Sequence, residues 1–172
     1  MLKVESEPMG TDVTVRTDLR AGDIGDVVRL HGVLYAAEYG LDARFEAGVA
    51  ETLVSAVEGG WPERGAIRIA ERDGGFAGSV GLTIEGRGAG RVRWVLLDPA
   101  LRGRGVGRRM LTEVLECAHS SGLEMVDLWT FSELRAAGEL YRSVGFEVVE
   151  TRRFSGWGRP ILMQHYQRED SG

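Results

Sequence analysis

The apolar residues of this chain change their spacing twice, and the two changes divide the chain into three parts. From residue 24 to 38 and again from 45 to 57, apolar side chains recur every three or four residues. This spacing predicts two amphipathic helices. Asp23 is the expected N-cap of the first helix, and Gly40 is its expected end.

The middle of the chain alternates apolar and polar residues, which is typical of strands. After a short strand at 13–16, three further strands are predicted at 66–70, 76–84 and 91–97, joined by turns over 72–75 and 85–90. Such short glycine-rich turns imply an antiparallel meander. In the last of these strands, Val92, Trp94 and Leu96 are expected on one face, with Arg91 and Arg93 on the other.

The last part of the chain alternates helices and strands. Helices are predicted at 106–118 and 133–144, and strands at 125–129, 146–152 and 161–166. Strand–helix–strand spacing of this kind suggests right-handed crossovers and parallel pairing. The expected fold class is therefore α/β, with an antiparallel meander and then parallel units in one mixed sheet covered by helices on both faces.

Length and composition limit the classes of protein. The 172 residues are 43% hydrophobic with a net charge of −5, which fits one domain over 13–172 after a flexible tail at 1–12. No apolar run is long enough to span a bilayer, and the tail lacks the apolar region of a secretory signal. Cys117 is the sole cysteine, which favours a reducing compartment and a cytoplasmic location.

The charges weigh against two kinds of partner. A pI near 5.3 opposes a nucleic-acid binder, although Arg102, Arg104, Arg108 and Arg109 leave that alternative open, with steeply salt-dependent binding as its signature. The three histidines lie far apart along the chain, so no metal site is expected.

Three glycines, Gly103, Gly105 and Gly107, lie between a predicted strand and a predicted helix, with arginines between and beside them. At a helix N-terminus several backbone N–H groups have no intrahelical partner, and glycines let a ligand approach them. This pattern suits a phosphate or pyrophosphate. The spacing fits neither a Walker loop nor a dinucleotide fingerprint.

The wider segment W-V-L-L-D-P-A-L-R-G-R-G-V-G at 94–107 resembles the acetyl-CoA signature of the GNAT family of N-acetyltransferases. In that signature an apolar strand and a residue–Pro pair precede R/Q-x-x-G-x-G/A. A second stretch, with Ala137, Leu140, Tyr141, Gly145 and Phe146, resembles the family's A-x-x-L-Y-x-x-x-G-F segment. Residues 31–40 are also similar to the acetyltransferase half of MarR–GNAT fusion proteins.

The resemblance implies a GNAT-like fold that binds acetyl-CoA, without a metal, where the strands at 91–97 and 125–129 splay apart. A bulge near Leu96 is expected to free backbone groups for the pantetheine arm and the thioester carbonyl. The loop N–H groups would hold the pyrophosphate. The implied cofactor-binding residues are Val95, Leu96, Leu97, Arg102, Gly103, Arg104, Gly105, Val106, Gly107 and Arg108.

Catalytic candidates also follow from the resemblance. Tyr141 is the expected general acid, because a phenol can protonate the departing thiolate; its alternative role is core packing. His31 and Glu38, seven apart on one helix, are candidates for the base or for acceptor-site residues, with Tyr35 and Tyr39 shaping the pocket. Their alternative roles are a core histidine and a solvated glutamate.

Three positions depart from the family pattern or stand outside it. Leu134 occupies the position where an asparagine often helps to hold the cofactor, and Trp129 the position of a glutamate in some relatives that acetylate protein N-termini. Trp157 is a candidate either for the acceptor wall or for a cap on the core.

The function expected from the sequence is acetyl transfer from acetyl-CoA to a primary amine of a small molecule or peptide. The alternative is a non-catalytic acyl-CoA binding or sensing domain. The variant Tyr141→Phe separates the two, because turnover should fall sharply in an enzyme while cofactor affinity should stay the same in both cases. The resemblance is compatible with a homodimer, for which no sequence feature specifies an interface, and neither nucleic acid nor a membrane is an expected partner.

Overall fold

Seven strands form one sheet in the computed structural model, which describes residues 12–170. The predicted tail at 1–12 lies almost entirely outside the described residues. The strands are β1 (Val13–Arg16), β2 (Gly65–Arg72), β3 (Gly75–Gly86), β4 (Ala89–Leu97), β5 (Met125–Phe131), β6 (Glu147–Phe154) and β7 (Ile161–Glu169). The α-helices are α1 (Asp23–Tyr39), α2 (Ala43–Glu58), α3 (Val106–Ser120) and α4 (Arg135–Ser143), and a short 3₁₀ turn covers Pro99–Leu101.

The strand order is β1-β2-β3-β4-β5-β7-β6, and it confirms the predicted mixed sheet. Strands β1 to β4 form the antiparallel meander, and β4 pairs with β5 in parallel across helix α3. The second predicted parallel pairing is wrong, because β7 lies between β5 and β6 and is antiparallel to both. The hairpin from β6 returns the chain into that position.

Helices cover both faces of the sheet, as predicted. Helices α3 and α4 pack on one face around Met110, Leu111 and Tyr141, while α1 and α2 pack on the other around Val27 and Leu53. Burying an aliphatic side chain of this size contributes about 1.5–3 kcal/mol. Two apolar layers thus hold the sheet between them.

Helix α1 begins differently from the prediction. Gly22, with φ 95°, is its N-cap, and Asp23 is the first helical residue. The carboxylate of Asp23 is bound by the Arg16 guanidinium and accepts a hydrogen bond from the backbone N–H of Arg20 at 2.6 Å. Because these partners occupy it, Asp23 does not cap the helix. The end at Gly40 is confirmed.

A β-bulge interrupts β4. Ser79 pairs with Leu96 but Gly81 pairs with Arg93, so Trp94 and Val95 together lie opposite Val80. Trp94 adopts the left-handed φ of 52° that this extra residue requires. The bulge reverses the inside–outside alternation, so Val92 packs under α3 while Trp94 packs with α1 and α2. The predicted shared face of Val92, Trp94 and Leu96 is therefore wrong, whereas the bulge lies directly before Leu96, near which it was expected.

Candidate active site

The cleft of the molecule opens where β4 and β5 stop pairing. Their parallel ladder has three register pairs and ends at Arg91 and Asp127, although both strands continue. At that last pair the Arg91 guanidinium donates two hydrogen bonds of 2.7 Å to the Asp127 carboxylate. Burial opposes ionisation of Asp127, but the hydrogen bonds from Arg91 and His165 outweigh it and lower its pKa. The fork between the strands is thus held by a charged pair.

A cavity of about 380 Å³ occupies one side of this fork. Its wall joins the bulged end of β4, the glycine loop, α1 and α4. Most of the residues that the sequence predicts for the cofactor line it: Val95, Leu96, Leu97, Arg102, Gly103, Gly105, Gly107 and Arg108. Arg104 and Val106 are not on its wall, and Val106 packs against the core below α3.

The glycine loop presents unpaired backbone donors to this cavity. Gly103 and Gly105 have φ of 71° and 80°, a conformation that other residues adopt only with strain. Helix α3 starts after Gly105, whose carbonyl accepts a 3.0 Å hydrogen bond from the backbone N–H of Arg109. The preceding N–H groups of the first turn therefore have no acceptor within the helix. They and the helix dipole suit an anion.

Gly107 has a different role in the loop. A Cβ added there would lie 3.1 Å from Cδ1 of Leu97, which is tighter than ordinary contact. The absence of a side chain therefore lets α3 approach the end of β4 closely. This approach fixes the distance between the loop donors and the bulge.

A second, smaller cavity of about 140 Å³ lies on the other side of the fork. Aromatic rings form much of its wall: Tyr35, Phe45, Trp94, Trp129, Phe131 and Trp157. Tyr35, Val95, Leu134 and Tyr141 line both cavities. A ligand in the large cavity and a ligand in the small one would meet at these four side chains.

Tyr141 reaches this junction from α4. Its side chain is 3% exposed and packs edge-on against Phe146 and Tyr166. Burial, followed by the neighbouring phenols Tyr35 and Tyr166, raises the pKa of Tyr141 above its ordinary value. Its hydroxyl is therefore a protonated donor at neutral pH. The packing role and the candidate acid role coexist at this residue.

His31 lines the small cavity and is neutral. Its Nδ1 lies 2.7 Å from the carbonyl oxygen of Val27, so Nδ1–H donates there and Nε2 carries the lone pair. Burial lowers the pKa of His31 to about 4, against the opposing effect of that hydrogen bond. The ring stacks on Tyr35 at 5.7 Å between centroids.

The structure does not bring Glu38 and His31 into one pocket. Glu38 lines the large cavity, where Arg102 donates hydrogen bonds of 2.9 and 2.8 Å to its two oxygens. This hydrogen bonding, foremost among the causes, raises the pKa of Arg102. Glu38 thus ties α1 to the glycine loop beside the candidate cofactor site. Tyr39 lines the large cavity as well, while Tyr35 lines both.

The β6–β7 turn closes the small cavity from outside. Trp157 packs against Phe45 at 5.0 Å and against Phe154 at 4.7 Å, so it is both part of the wall and a cap on the second core. The carbonyl of Trp157 accepts a 3.1 Å hydrogen bond from the backbone N–H of Asp42. Arg159 donates one of 2.6 Å to the carbonyl of Tyr39. These bonds fix the turn on the α1–α2 connection.

Phe45 and Phe131 are among the wall residues of the small cavity that were not predicted as site residues. Phe45 was expected only on the apolar face of α2, and Phe131 lies beyond the predicted end of its strand. Phe131 follows Trp129 by two residues, so a longer strand would have placed both on one face. No comparable signal identifies Phe45.

Within residues 12–170 no helix is long and apolar enough to cross a membrane. Over the same residues, no group of three histidine, cysteine or acidic side chains is arranged to hold a metal ion.

Parts of this chain are similar in sequence to known acetyltransferases. A 78-residue stretch is 35% identical to an uncharacterised N-acetyltransferase of Methanocaldococcus jannaschii, covering 45% of this chain and 34% of that protein. A 62-residue stretch is 45% identical to the N-alpha-acetyltransferase RimI of Mycobacterium tuberculosis, covering 36% of this chain and 37% of the relative. The chain thus matches little more than a third of either relative's length.

The fold has close structural neighbours at low identity. The ribosomal-protein-alanine N-acetyltransferase of Brucella melitensis superposes with a TM-score of 0.70 at 21% identity, over 91% of this chain and 99% of that one. The family model described as the acetyltransferase (GNAT) domain matches residues 63–148, from before β2 into β6, and so spans half of the chain. With the glycine loop, the bulge and Tyr141 inside that match, the chain belongs to the GNAT family of acetyltransferases.

Proposed function

We propose that this protein transfers the acetyl group of acetyl-CoA directly to a primary amine of a small molecule or peptide. The observation that carries the proposal is the meeting of two cavities at Tyr141, one edged by unpaired backbone donors and the other walled by aromatic rings. A two-substrate transfer needs two sites with one shared point. The GNAT family model and the named N-acetyltransferase relatives support the same chemistry.

The large cavity suits acetyl-CoA. The first-turn N–H groups of α3 and the guanidinium of Arg108 complement a pyrophosphate, and Leu97, Ala137 and Leu140 offer an apolar wall to the pantetheine arm. When bound, acetyl-CoA supplies an activated thioester, which an amine attacks without a protein nucleophile. The bulge at Trp94 and Val95 interrupts the ladder and leaves backbone groups of β4 available to orient that thioester.

Tyr141 is proposed as the general acid. As the bond between the acetyl carbon and sulfur breaks, the departing thiolate needs a proton, which the phenol at the junction can donate. Its raised pKa keeps the hydroxyl protonated until that moment. General acid catalysis of this kind contributes typically about 10²–10⁴-fold to a rate.

His31 is proposed as an acceptor-site residue that orients the amine rather than as its main base. With a pKa of about 4, it is a poor proton sink for an alkylammonium, whose pKa near 10 makes the transfer cost about 8 kcal/mol. Its Nε2 lone pair can instead accept a hydrogen bond from a neutral amine. Glu38, bound by Arg102 beside the other cavity, is proposed to support cofactor binding.

Location, oligomeric state and domain organisation follow from the sequence and the family resemblance. We infer a cytoplasmic protein because the sole cysteine fits a reducing compartment, and a homodimer because the family resemblance suggests one. We also infer one domain over 13–172, and a relationship between residues 31–40 and the acetyltransferase half of MarR–GNAT fusions. Size-exclusion chromatography with light scattering tests the dimer.

Thermal unfolding with and without acetyl-CoA tests the cofactor site. A ligand at about 100 times its dissociation constant stabilises the native state by about 2.7 kcal/mol, which raises the melting temperature by several degrees. ATP is the control for a merely anionic ligand, and desulfo-CoA for the contribution of the thioester.

A matched pair of variants tests where the pyrophosphate of acetyl-CoA binds. Arg108→Gln removes a cation on the cavity wall and is expected to weaken acetyl-CoA binding, whereas Arg109→Gln removes a neighbouring cation that pairs with Glu113 at 2.8 Å. Binding that is equal in the two variants would contradict the assigned position of the pyrophosphate. No shift at saturating acetyl-CoA would contradict the function.

A further inference from the structure

The wall of the small cavity, on the acceptor side of the fork, carries no carboxylate among its described residues. An amine that enters as an ammonium would therefore find no acidic partner there, and polyamines or lysine-like chains are poor candidates. The aromatic walls instead match an apolar or aromatic body. At about 140 Å³ the cavity has room for a group the size of an aromatic ring.

Arg93, the cation on that wall, already has an acidic partner. Arg93 donates a 3.0 Å hydrogen bond from Nε to the Thr83 hydroxyl and a 3.2 Å one from Nη2 to the Glu85 carboxylate. Its charge is thus shared with an acidic side chain of β3. It is a weak attractant for an anionic ligand.

A second cation adjoins the cavity through Trp129. The guanidinium carbon of Arg152 lies 4.3 Å from the centre of the Trp129 ring, a cation–π contact. Across the described residues, no carboxylate approaches this guanidinium within 4.0 Å, and Glu150, two residues earlier on the strand, forms no ion pair with it. Arg152 is an exposed residue whose hydrogen-bonding edge therefore lacks an anionic partner.

The Trp129 ring that Arg152 contacts is itself held by neighbouring side chains. Trp129 stacks on His165 with ring centres 4.4 Å apart and planes within 3° of parallel. His165 Nε2 in turn lies 2.7 Å from Oδ2 of Asp127, which Arg91 holds at the last pair of the β4–β5 ladder. This chain of contacts connects Trp129 to the end of the β4–β5 ladder, and the cation–π contact places the guanidinium of Arg152 over the Trp129 ring.

Resting on the function proposed above, we infer that the acceptor is an amino carboxylate. Its amine would lie at the junction near Tyr141, its apolar or aromatic body against the ring wall, and its carboxylate on the guanidinium of Arg152. An Arg fork binds a planar carboxylate with two parallel hydrogen bonds, and an arginine already seated on an aromatic ring loses little freedom in doing so. Arg152 is then the residue that selects a carboxylate-bearing amine.

Paired substrates test this inference. Phenylalanine and 4-(aminomethyl)benzoate are each compared with the corresponding carboxamide, which keeps the size and removes the charge. For the wild-type protein, kcat/KM is expected to be at least about tenfold higher for one or both carboxylates than for the amides, as expected for a charged hydrogen bond. Calorimetric binding in the presence of CoA provides the same comparison without turnover.

Adjacent arginines of β6 provide the matched variants. Arg152 pairs in register with Met163 of the inner face, whereas its neighbour Arg153 pairs with the exposed Leu162 of the opposite face. Arg152→Gln is expected to abolish the preference for carboxylates while turnover of the amides continues. Arg153→Gln is expected to retain the preference.

The outcomes separate this inference from the function beneath it. Amides and carboxylates used equally by the wild type, or a preference that survives Arg152→Gln, would overturn the amino-carboxylate inference alone. Carboxylates that neither bind nor react would overturn it as well. A protein that binds no acetyl-CoA would instead overturn the proposed function.

Discussion

Tyr141 and His31 illustrate how burial assigns different chemistry to two titratable side chains at one fork. Loss of solvent raises the pKa of the phenol and lowers that of the imidazole, so both are uncharged at neutral pH. One is left as a proton donor and the other as an acceptor of hydrogen bonds. The residue types were readable from the sequence, but these protonation states depend on packing that no local pattern contains.

Removal of one oxygen atom tests the role of Tyr141. Tyr141→Phe is expected to lower kcat by at least about 10²-fold, since general acid catalysis is lost, while the packing against Phe146 and Tyr166 remains. The dissociation constant for acetyl-CoA, measured by calorimetry, is expected to stay the same. Turnover equal to wild type would favour a binding or packing role for this residue.

His31 is expected to make the fold sensitive to acid. Its pKa is about 4 in the native protein against about 6.5 when unfolded, so the unfolded chain binds a proton first as the pH falls. Stability attributable to His31 is present above pH 6.5 and falls by about 3 kcal/mol as the pH drops to 4.

Urea unfolding at several pH values measures this loss. The wild type is compared with His31→Gln, which keeps a donor for the Val27 carbonyl, and with the exposed control His119→Gln. The free energy of unfolding of His31→Gln is expected to fall less steeply between pH 6.5 and 4 than that of the other two proteins. Parallel curves for all three would contradict a neutral buried imidazole.

Variants of Glu38 test whether this carboxylate acts as the general base or supports cofactor binding. Arg102 binds both oxygens of Glu38 beside the cofactor cavity. Glu38→Gln is therefore expected to raise KM for acetyl-CoA and to leave kcat and its pH dependence unaltered. Arg102→Gln removes the other partner and is expected to raise the same KM. A large fall in kcat for Glu38→Gln alone would show that this carboxylate takes part in proton transfer.

At the scale of elements, the sequence predicted most helices and strands because their apolar periods are long and regular. The apolar period contains no sign of the bulge in β4, since R-V-R-W-V-L-L alternates without a visible break and the extra residue is decided by the pairing with β3. Only the family resemblance predicted a bulge in this strand, near Leu96. The place of β7 between β5 and β6 was hidden for a similar reason, as pairing partners far apart in sequence leave no local signal. The glycine loop was predictable because its spacing is itself the signal.

The charged pair at the fork between β4 and β5 can be tested directly by mutation. Asp127→Asn leaves Arg91 and His165 without their shared anion, and it is expected to destabilise the protein by about 1–3 kcal/mol. Because the depressed pKa of Asp127 stabilises the native state at neutral pH, the difference from wild type should shrink as the pH falls towards acid.

Chemical denaturation of two variants measures the effect at the fork. Asp18→Asn is the control, because Asp18 pairs with Arg20 on the open surface and its loss is expected to be small. Acetyl-CoA affinity is followed in parallel, since a loosened fork should weaken it. Equal stability of Asp127→Asn and Asp18→Asn would contradict the structural role of this pair.

At the scale of the whole molecule, the bulge, the shortened ladder and the two helix layers produce one result. They leave two cavities that share Tyr35, Val95, Leu134 and Tyr141. Most of the residues that the family resemblance assigns to the cofactor line the large cavity, because they belong to contiguous motifs. The acceptor side is assembled from α1, α2, β5 and the β6–β7 turn, and its wall could be read only from the fold.

The most direct test of acetyl transfer is to follow the acetyl group itself. Purified protein is incubated with acetyl-CoA labelled in the acetyl carbons and a panel of primary amines, and the products are identified by mass spectrometry, with Tyr141→Phe as the matched control. The expected result is a labelled amide, formed with one equivalent of free CoA and much more slowly by the variant. Acetyl-CoA that binds but yields no amide with any amine, in wild type and variant alike, would contradict the catalytic function.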